Sequence, residues 1–154
     1  MTERKRFDKS LYEAYDQRAR DVTTAYLASL GIAAEPHPNR YAQDLIAYNP
    51  FTNTEYHVEC EVKIVWEGTE FPYENVQLPK RKHKFFDGQT QFFIWNEPLT
   101  HAASFWDYDI SELIPVEVPN RYVSKGEYFY QIPLELIEWV GYETNSGHRD
   151  EHQA

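Results

Sequence analysis

The sequence predicts an α/β domain built on one central mixed β-sheet flanked by helices. Three observations carry that expectation. Residues 10–30 show apolar positions at helical spacing, residues 44–66 read as two strands joined by a turn, and residues 91–95 form an aromatic strand behind a basic stretch suited to a helix. Helix, strand, strand, helix, strand around one sheet is an α/β layout. The 154 residues fit one domain. It is expected over residues 1–142, with the polar segment Glu143–Ala154 as a frayed tail.

In the first helix Leu11, Tyr15, Ala19, Val22, Tyr26 and Leu30 recur three or four residues apart. Ser10 with Glu13 makes a capping box at its start, and Gly31 suits the residue just past its end. Pro36 and Pro38 force residues 34–39 into an extended or looped path. Asp44–Tyr48 then reads as a short apolar strand, Asn49–Asn53 as a turn, and Glu55–Trp66 as the second strand of a hairpin. Alternation in that strand puts His57, Glu59, Glu61, Lys63 and Val65 on one face. Val58, Cys60, Val62, Ile64 and Trp66 occupy the other, a wholly apolar core face.

After a loop over residues 67–75, Pro79 suits the first turn of a helix over 79–86, and Gly88 suits its end. Gln91–Trp95 is a third strand, with Phe92, Phe93 and Trp95 expected in the core. Asp109–Leu113 has the makings of a short helix. Val116–Val118 and Tyr128–Ile132 look like strands, and Pro133–Val140 like a closing helical turn.

Composition excludes several classes. A chain with 42% apolar and 16% aromatic residues is globular rather than disordered. A lone cysteine, Cys60, rules out an internal disulfide framework and a cysteine-based zinc knot, and is expected as a small buried hydrophobe. The six histidines show no zinc spacing, and neither a glycine-rich phosphate loop nor a G-x-S-x-G elbow occurs. No apolar run approaches the ~20 residues that span a bilayer, and the polar start carries no signal core. A cytoplasmic protein with no membrane partner is expected.

The net charge of −10 opposes a nucleic-acid partner, because non-specific DNA binding relies on Lys and Arg displacing counterions. An acidic protein must concentrate positive charge locally. Lys80-Arg81-Lys82-His83-Lys84 does so, with four formal charges in five residues. On a helix, Lys80 and Lys84 stand one turn apart and face one strand together. Arg4-Lys5-Arg6 beside Lys9 is a second basic cluster, suited to an arm on DNA.

The chemistry-bearing constellation is Asp44 with Glu61-Val62-Lys63. Two acids on neighbouring strands of a hairpin can converge on one point, and hard oxygen ligands suit Mg²⁺ or Mn²⁺. Lys63 leaves the same face as Glu61, and the Val62 carbonyl between them can add a ligand. A metal polarises a phosphodiester and activates water, and an ammonium beside it orients that water or steadies developing charge. The same pattern also suits a solvated strand edge, because acid-x-Lys triplets are common.

Asp44, the hairpin and Glu61-x-Lys63 together resemble the PD-(D/E)XK nuclease superfamily. Tyr26-Leu27 before Gly31-Ile32, then Asp44-Leu45-Ile46-Ala47, then Val58-Glu59-Cys60-Glu61-Val62-Lys63 are similar in order and spacing to archaeal Holliday-junction resolvases and their bacterial relatives. The likeness spans residues 20–66, under a third of the chain. The rest places it only loosely, as a phage- or mobile-element-like member. The resemblance implies a restriction-endonuclease-like fold and a metal-dependent deoxyribonuclease, an endonuclease selective for branched or single-stranded structure. In that reading Asp44, Glu61 and Val62 hold Mg²⁺ or Mn²⁺ and Lys63 assists. Gln77, Lys80, Arg81, Lys82 and Lys84 bind the DNA backbone. Relatives of the resolvase type work as homodimers, since two strands must be cut.

Two departures stand out. The family often takes a further glutamate from the first helix, near where Arg20 stands here. Asp21 is its neighbour, Glu13 and Asp16 lie further up, and Asp21 and Glu13 are the candidates for that acid. Many resolvases also carry a glutamate two residues before the aspartate, where this chain has Ala42. A catalytically weak or inactive nucleic-acid-binding module of the same fold, and an acidic assembly protein, remain as alternatives.

Overall fold

In a computed structural model, residues 9–120 and 123–143 are described. Helix α1 (Lys9–Ser29) is followed by β1 (Ala33–Pro36), β2 (Leu45–Asn49) and β3 (Thr54–Val62). Strand β4 (Asn75–Pro79) leads into a 3-10 turn over Lys80–Phe85, then β5 (Thr90–Trp95), β6 (His101–Trp106) and the single-turn α2 (Asp107–Ile110). Strands β7 (Val116–Asn120), β8 (Val123–Pro133) and β9 (Glu138–Gly141) complete it, with a 3-10 turn at Leu134–Leu136 before β9. The basic cluster Arg4-Lys5-Arg6 and the expected tail beyond Glu143 lie outside the described residues. No described helix is long and apolar enough to cross a membrane.

The fold is mixed α/β, but with two sheets where one was expected. The six-stranded sheet runs β1-β2-β3-β5-β6-β9, and a three-stranded antiparallel sheet runs β4-β8-β7. In the larger sheet β1, β2 and β3 form an antiparallel meander, and β3 pairs in parallel with β5. A parallel pair needs a crossover. Residues 63–89 supply it through β4 and the 3-10 turn rather than through an α-helix.

Helix α1 covers one face of the large sheet. Ala19, Val22 and Leu27 meet Leu45, Ala47, Tyr56, Val58, Cys60, Phe93 and Trp95 in one buried cluster. The indole N–H of Trp95 donates to Thr23 Oγ1 at 2.8 Å across that interface. The helix ends where the sequence predicts. The N–H of Gly31, at φ 85°, donates to Ala28 O, and the N–H of Ile32 to Leu27 O, which is a Schellman closure. Its start differs from expectation: the helix is already formed at Lys9, so Ser10 lies inside it rather than capping it.

The small sheet and α2 cover the other face. Val76, Leu78, Tyr130 and Ile132 pack against Phe92, Ile94, Ala103 and Phe105, with Phe92 and Phe105 stacked at 5.2 Å. Fully burying one such side chain contributes roughly 1.5–3 kcal/mol, so sandwiching β5 between two apolar layers anchors it. The expected core residues Phe92, Phe93 and Trp95 are buried, and so is Cys60.

Strand β3 stops at Val62, four residues short of the expected end. The Lys63 N–H donates to Trp95 O and the Trp66 N–H to Lys63 O, so the chain turns off the sheet there. The expected helix at 79–86 is a 3-10 turn, β6 occupies the segment before α2, and Glu138–Gly141 is an edge strand rather than helical.

Candidate functional site

The hairpin register decides which acids meet. Leu45 pairs with Val58 and Ile46 with His57. One step further, Asp44 at the head of β2 stands across from Glu59, not Glu61. The contacts agree: the Asp44 N–H donates to Glu59 Oε1 at 3.2 Å, and the Cys60 N–H donates to Asp44 Oδ2 at 3.0 Å. The expected pairing of Asp44 with Glu61 is therefore corrected by two residues. The physical reason is the position of the turn: Asn49 pairs with Thr54, which fixes every pair behind it.

Glu59 and Glu61 leave β3 on the face away from α1's core, one side-chain repeat apart, about 6.7 Å along the strand. Into that space comes Lys82 from the 3-10 turn. Its Nζ lies 2.7 Å from Glu59 Oε2 and 4.0 Å from Glu61 Oε1. Helix α1 adds Arg20, 3.5 Å from Asp44 Oδ1, and Asp16. Asp16, Asp44, Glu59, Glu61, Arg81 and Lys82 line one open cleft of about 480 Å³. Gln43 braces the approach: its buried side-chain amide donates to Phe85 O and to Thr90 Oγ1. That ties the residue before Asp44 to the end of the 3-10 turn that carries Lys82.

Crowded carboxylates raise one another's pKa. Burial, then the Asp44 charge, push the Glu59 carboxyl up to about 7, against the pull of Lys82. Burial raises Glu61, with Lys82, Lys63 and Arg81 acting against it. About a third of the Glu61 side chain stays accessible from the cleft. Asp16 is raised by burial and by Asp44. Burial works to lower Lys82, but Glu59 and Glu61 outweigh it and hold the ammonium above its ordinary value.

Several expected site residues stand elsewhere. Lys63 lies past the end of β3 with Nζ 5.3 Å over the Tyr73 ring, so Lys82 takes the place next to the carboxylates. Val62 lines the cleft. Asp21 is exposed and accepts from Gln17 Nε2 at 2.9 Å. Glu13 is exposed on the same helix, and the helix residues lining the cleft are Tyr15 and Asp16. Gln77 sits on β4 across from Gln131, in the small sheet.

The basic stretch forms no single stripe. At three residues per turn, Lys80 and Lys84 point about 120° apart. Lys80 lies over the Tyr128 ring, Lys84 over Phe85, and Arg81 is 3.9 Å from Glu127. Lys82 reaches the carboxylates, and Arg81 lines the same cleft. The sequence held a signal for Glu59, because centring the turn on residues 50–53 pairs 44 with 59. It held none for Lys82, whose neighbours in the charge run look the same.

The donor set is carboxylate oxygen only, as a hard dication prefers. Among the described residues, no three His, Cys, Asp or Glu side chains converge as a metal-holding group, and Lys82 fills the space between Glu59 and Glu61. The donor oxygens suit Mg²⁺ or Mn²⁺ in chemistry, and an ion there would take the place Lys82 holds beside them. No family model, curated protein or solved structure matches this chain.

Proposed function

We propose that this chain is a metal-dependent nuclease of restriction-endonuclease-like fold that hydrolyses phosphodiester bonds of DNA. One observation carries the reading: Asp44 and Glu59, from paired strands, are hydrogen-bonded into one open cleft with Glu61, Asp16 and the Lys82 ammonium. The helix, the antiparallel meander and the crossover to a parallel strand support the fold assignment. Nothing in the arrangement relies on the net charge of −10 being reversed over a broad surface.

Asp44 and Glu59 would hold the ion, with Asp16 on the helix side. A bound Mg²⁺ or Mn²⁺ supplies Lewis-acid polarisation of the phosphate and a more acidic water. Glu61, partly accessible and with a raised pKa, takes the proton of the attacking water at neutral pH. Lys82 and Arg81 draw the phosphate into the cleft and steady the negative charge that builds on it. The water oxygen bonds to phosphorus as the bond to the leaving ribose oxygen breaks. A homodimer belongs to this reading through the resolvase resemblance.

A second reading has its own support. Lys82 already neutralises Glu59 at 2.7 Å, as suits a nucleic-acid-binding module of the same fold without catalysis. Incubating plasmid and branched oligonucleotides with Mg²⁺, Mn²⁺ or EDTA separates the two. Metal-dependent cuts that vanish in Asp44→Asn and Glu59→Gln support the nuclease. A salt-sensitive gel shift with intact DNA supports the module.

A further inference from the structure

A second cavity lies between the β6–β9 edge of the large sheet and the segment that follows β3. It measures about 340 Å³ and is lined by Trp66, Glu70, Phe71, His101 and Trp139 among others. Trp66 is fully buried and forms its floor, while Trp139 is 47% exposed. The rings interlock, with Trp66–Phe71 centroids at 5.1 Å, Phe71–Trp139 at 5.7 Å and Trp66–Trp139 at 6.3 Å. Tyr73, also 47% exposed, extends the set at 5.6 Å from Phe71.

The cavity and the carboxylate cleft take lining residues two apart in sequence. Ile64 lines the cleft and Trp66 lines the cavity, and Lys63 joins them with its ammonium 5.3 Å over Tyr73. We propose that this cavity is a stacking subsite for an unpaired nucleobase of the strand whose phosphate lies in the cleft. The inference rests on the nuclease reading and gives it a substrate class: DNA with single-stranded or splayed nucleotides. Half-exposed Trp and Tyr rings offer faces to any base. Glu70 repels phosphate but accepts from exocyclic amino groups as carboxylates do, so the cavity takes a base and leaves the backbone to Lys63.

The test uses a ten-nucleotide single strand with one 2-aminopurine and a terminal dye, with Ca²⁺ in place of Mg²⁺. The wild-type chain is expected to bind it and quench the 2-aminopurine by stacking. Trp139→Ala weakens binding roughly 5- to 150-fold, the worth of one base–aromatic stack, and abolishes the quench. Trp139→Phe keeps a ring and stays within a few-fold, and an unchanged urea midpoint shows that each variant is folded. Equal binding of a blunt duplex, or Trp139→Ala binding and quenching like wild type, overturns the subsite and leaves the nuclease reading standing if Mg²⁺ still supports cleavage. Quenching without cleavage keeps the subsite and removes the nuclease. No binding of any oligonucleotide overturns both.

Discussion

Replacing Glu59 by Gln tests the electrostatics of the cleft through stability alone. Glu59 is 8% exposed, and burial beside Asp44 raises its carboxyl from an ordinary 4.5 to about 7. A folded-state pKa above the unfolded value means the fold holds a proton that the unfolded chain releases. The contribution is full below pH 4.5 and is lost as pH rises through 7. Each pKa unit is about 1.36 kcal/mol, so the loss amounts to about 3 kcal/mol. Asp16 and Glu61 are raised too and act in the same direction. Gln keeps an oxygen for the Asp44 N–H but cannot titrate. Urea midpoints at pH 5 and pH 8 read the effect. With a urea m-value of about 1–3 kcal/mol/M, the variant's pH-dependent drop shrinks by about 1–3 M relative to wild type. An equal drop in both proteins, or a wild type that gains stability between pH 5 and pH 8, refutes the reasoning.

Three more predictions address the site and its frame. Lys82→Ala is expected to lower DNA cleavage more than about 100-fold, as loss of one transition-state donor does, and Lys63→Ala less than 10-fold. Single-turnover rates check this, and the reverse order would return the ammonium role to Lys63. Trp95→Phe removes the bond to Thr23 and leaves a void under α1, costing about 2–3 kcal/mol and about 5–10 °C in a thermal melt; an unchanged melt contradicts the α1 packing. Gly126→Ala is expected to cost more than about 1 kcal/mol, because φ is +74° and an added Cβ would lie 2.6 Å from Val118 O. Chemical denaturation reads it, and a neutral result would argue against that tight approach of β8 to β7.

The parts of the fold that were legible in the sequence are those where local chemistry and tertiary packing agree. The three-and-four spacing from Leu11 to Leu30 gave α1, Gly31 gave its end, and Asn49–Asn53 gave the hairpin. Strand β4 was not legible, because only Val76 and Leu78 turn inward and the segment runs straight into the basic turn. The segment Pro133–Val140 read as a helical turn, and Leu134–Leu136 does form a 3-10 turn, yet from Glu138 onward pairing with β6 prevails. In the site, Asp44 was found from its place ahead of an apolar strand. Glu59 was missed, and Lys82 was named only among the DNA-backbone cations, not beside the carboxylates: the first depends on a register two residues from the obvious triplet. The other depends on a 3-10 rather than an α period, which turns a single lysine of the run inward.

The most direct test of the nuclease reading is cleavage of a branched or single-stranded DNA by the purified chain in Mn²⁺, with EDTA and Glu59→Gln as controls. The account predicts cuts that need the metal and are lost in the variant while its fold persists at pH 8. DNA left intact in Mn²⁺, or cut equally well by Glu59→Gln, would contradict it.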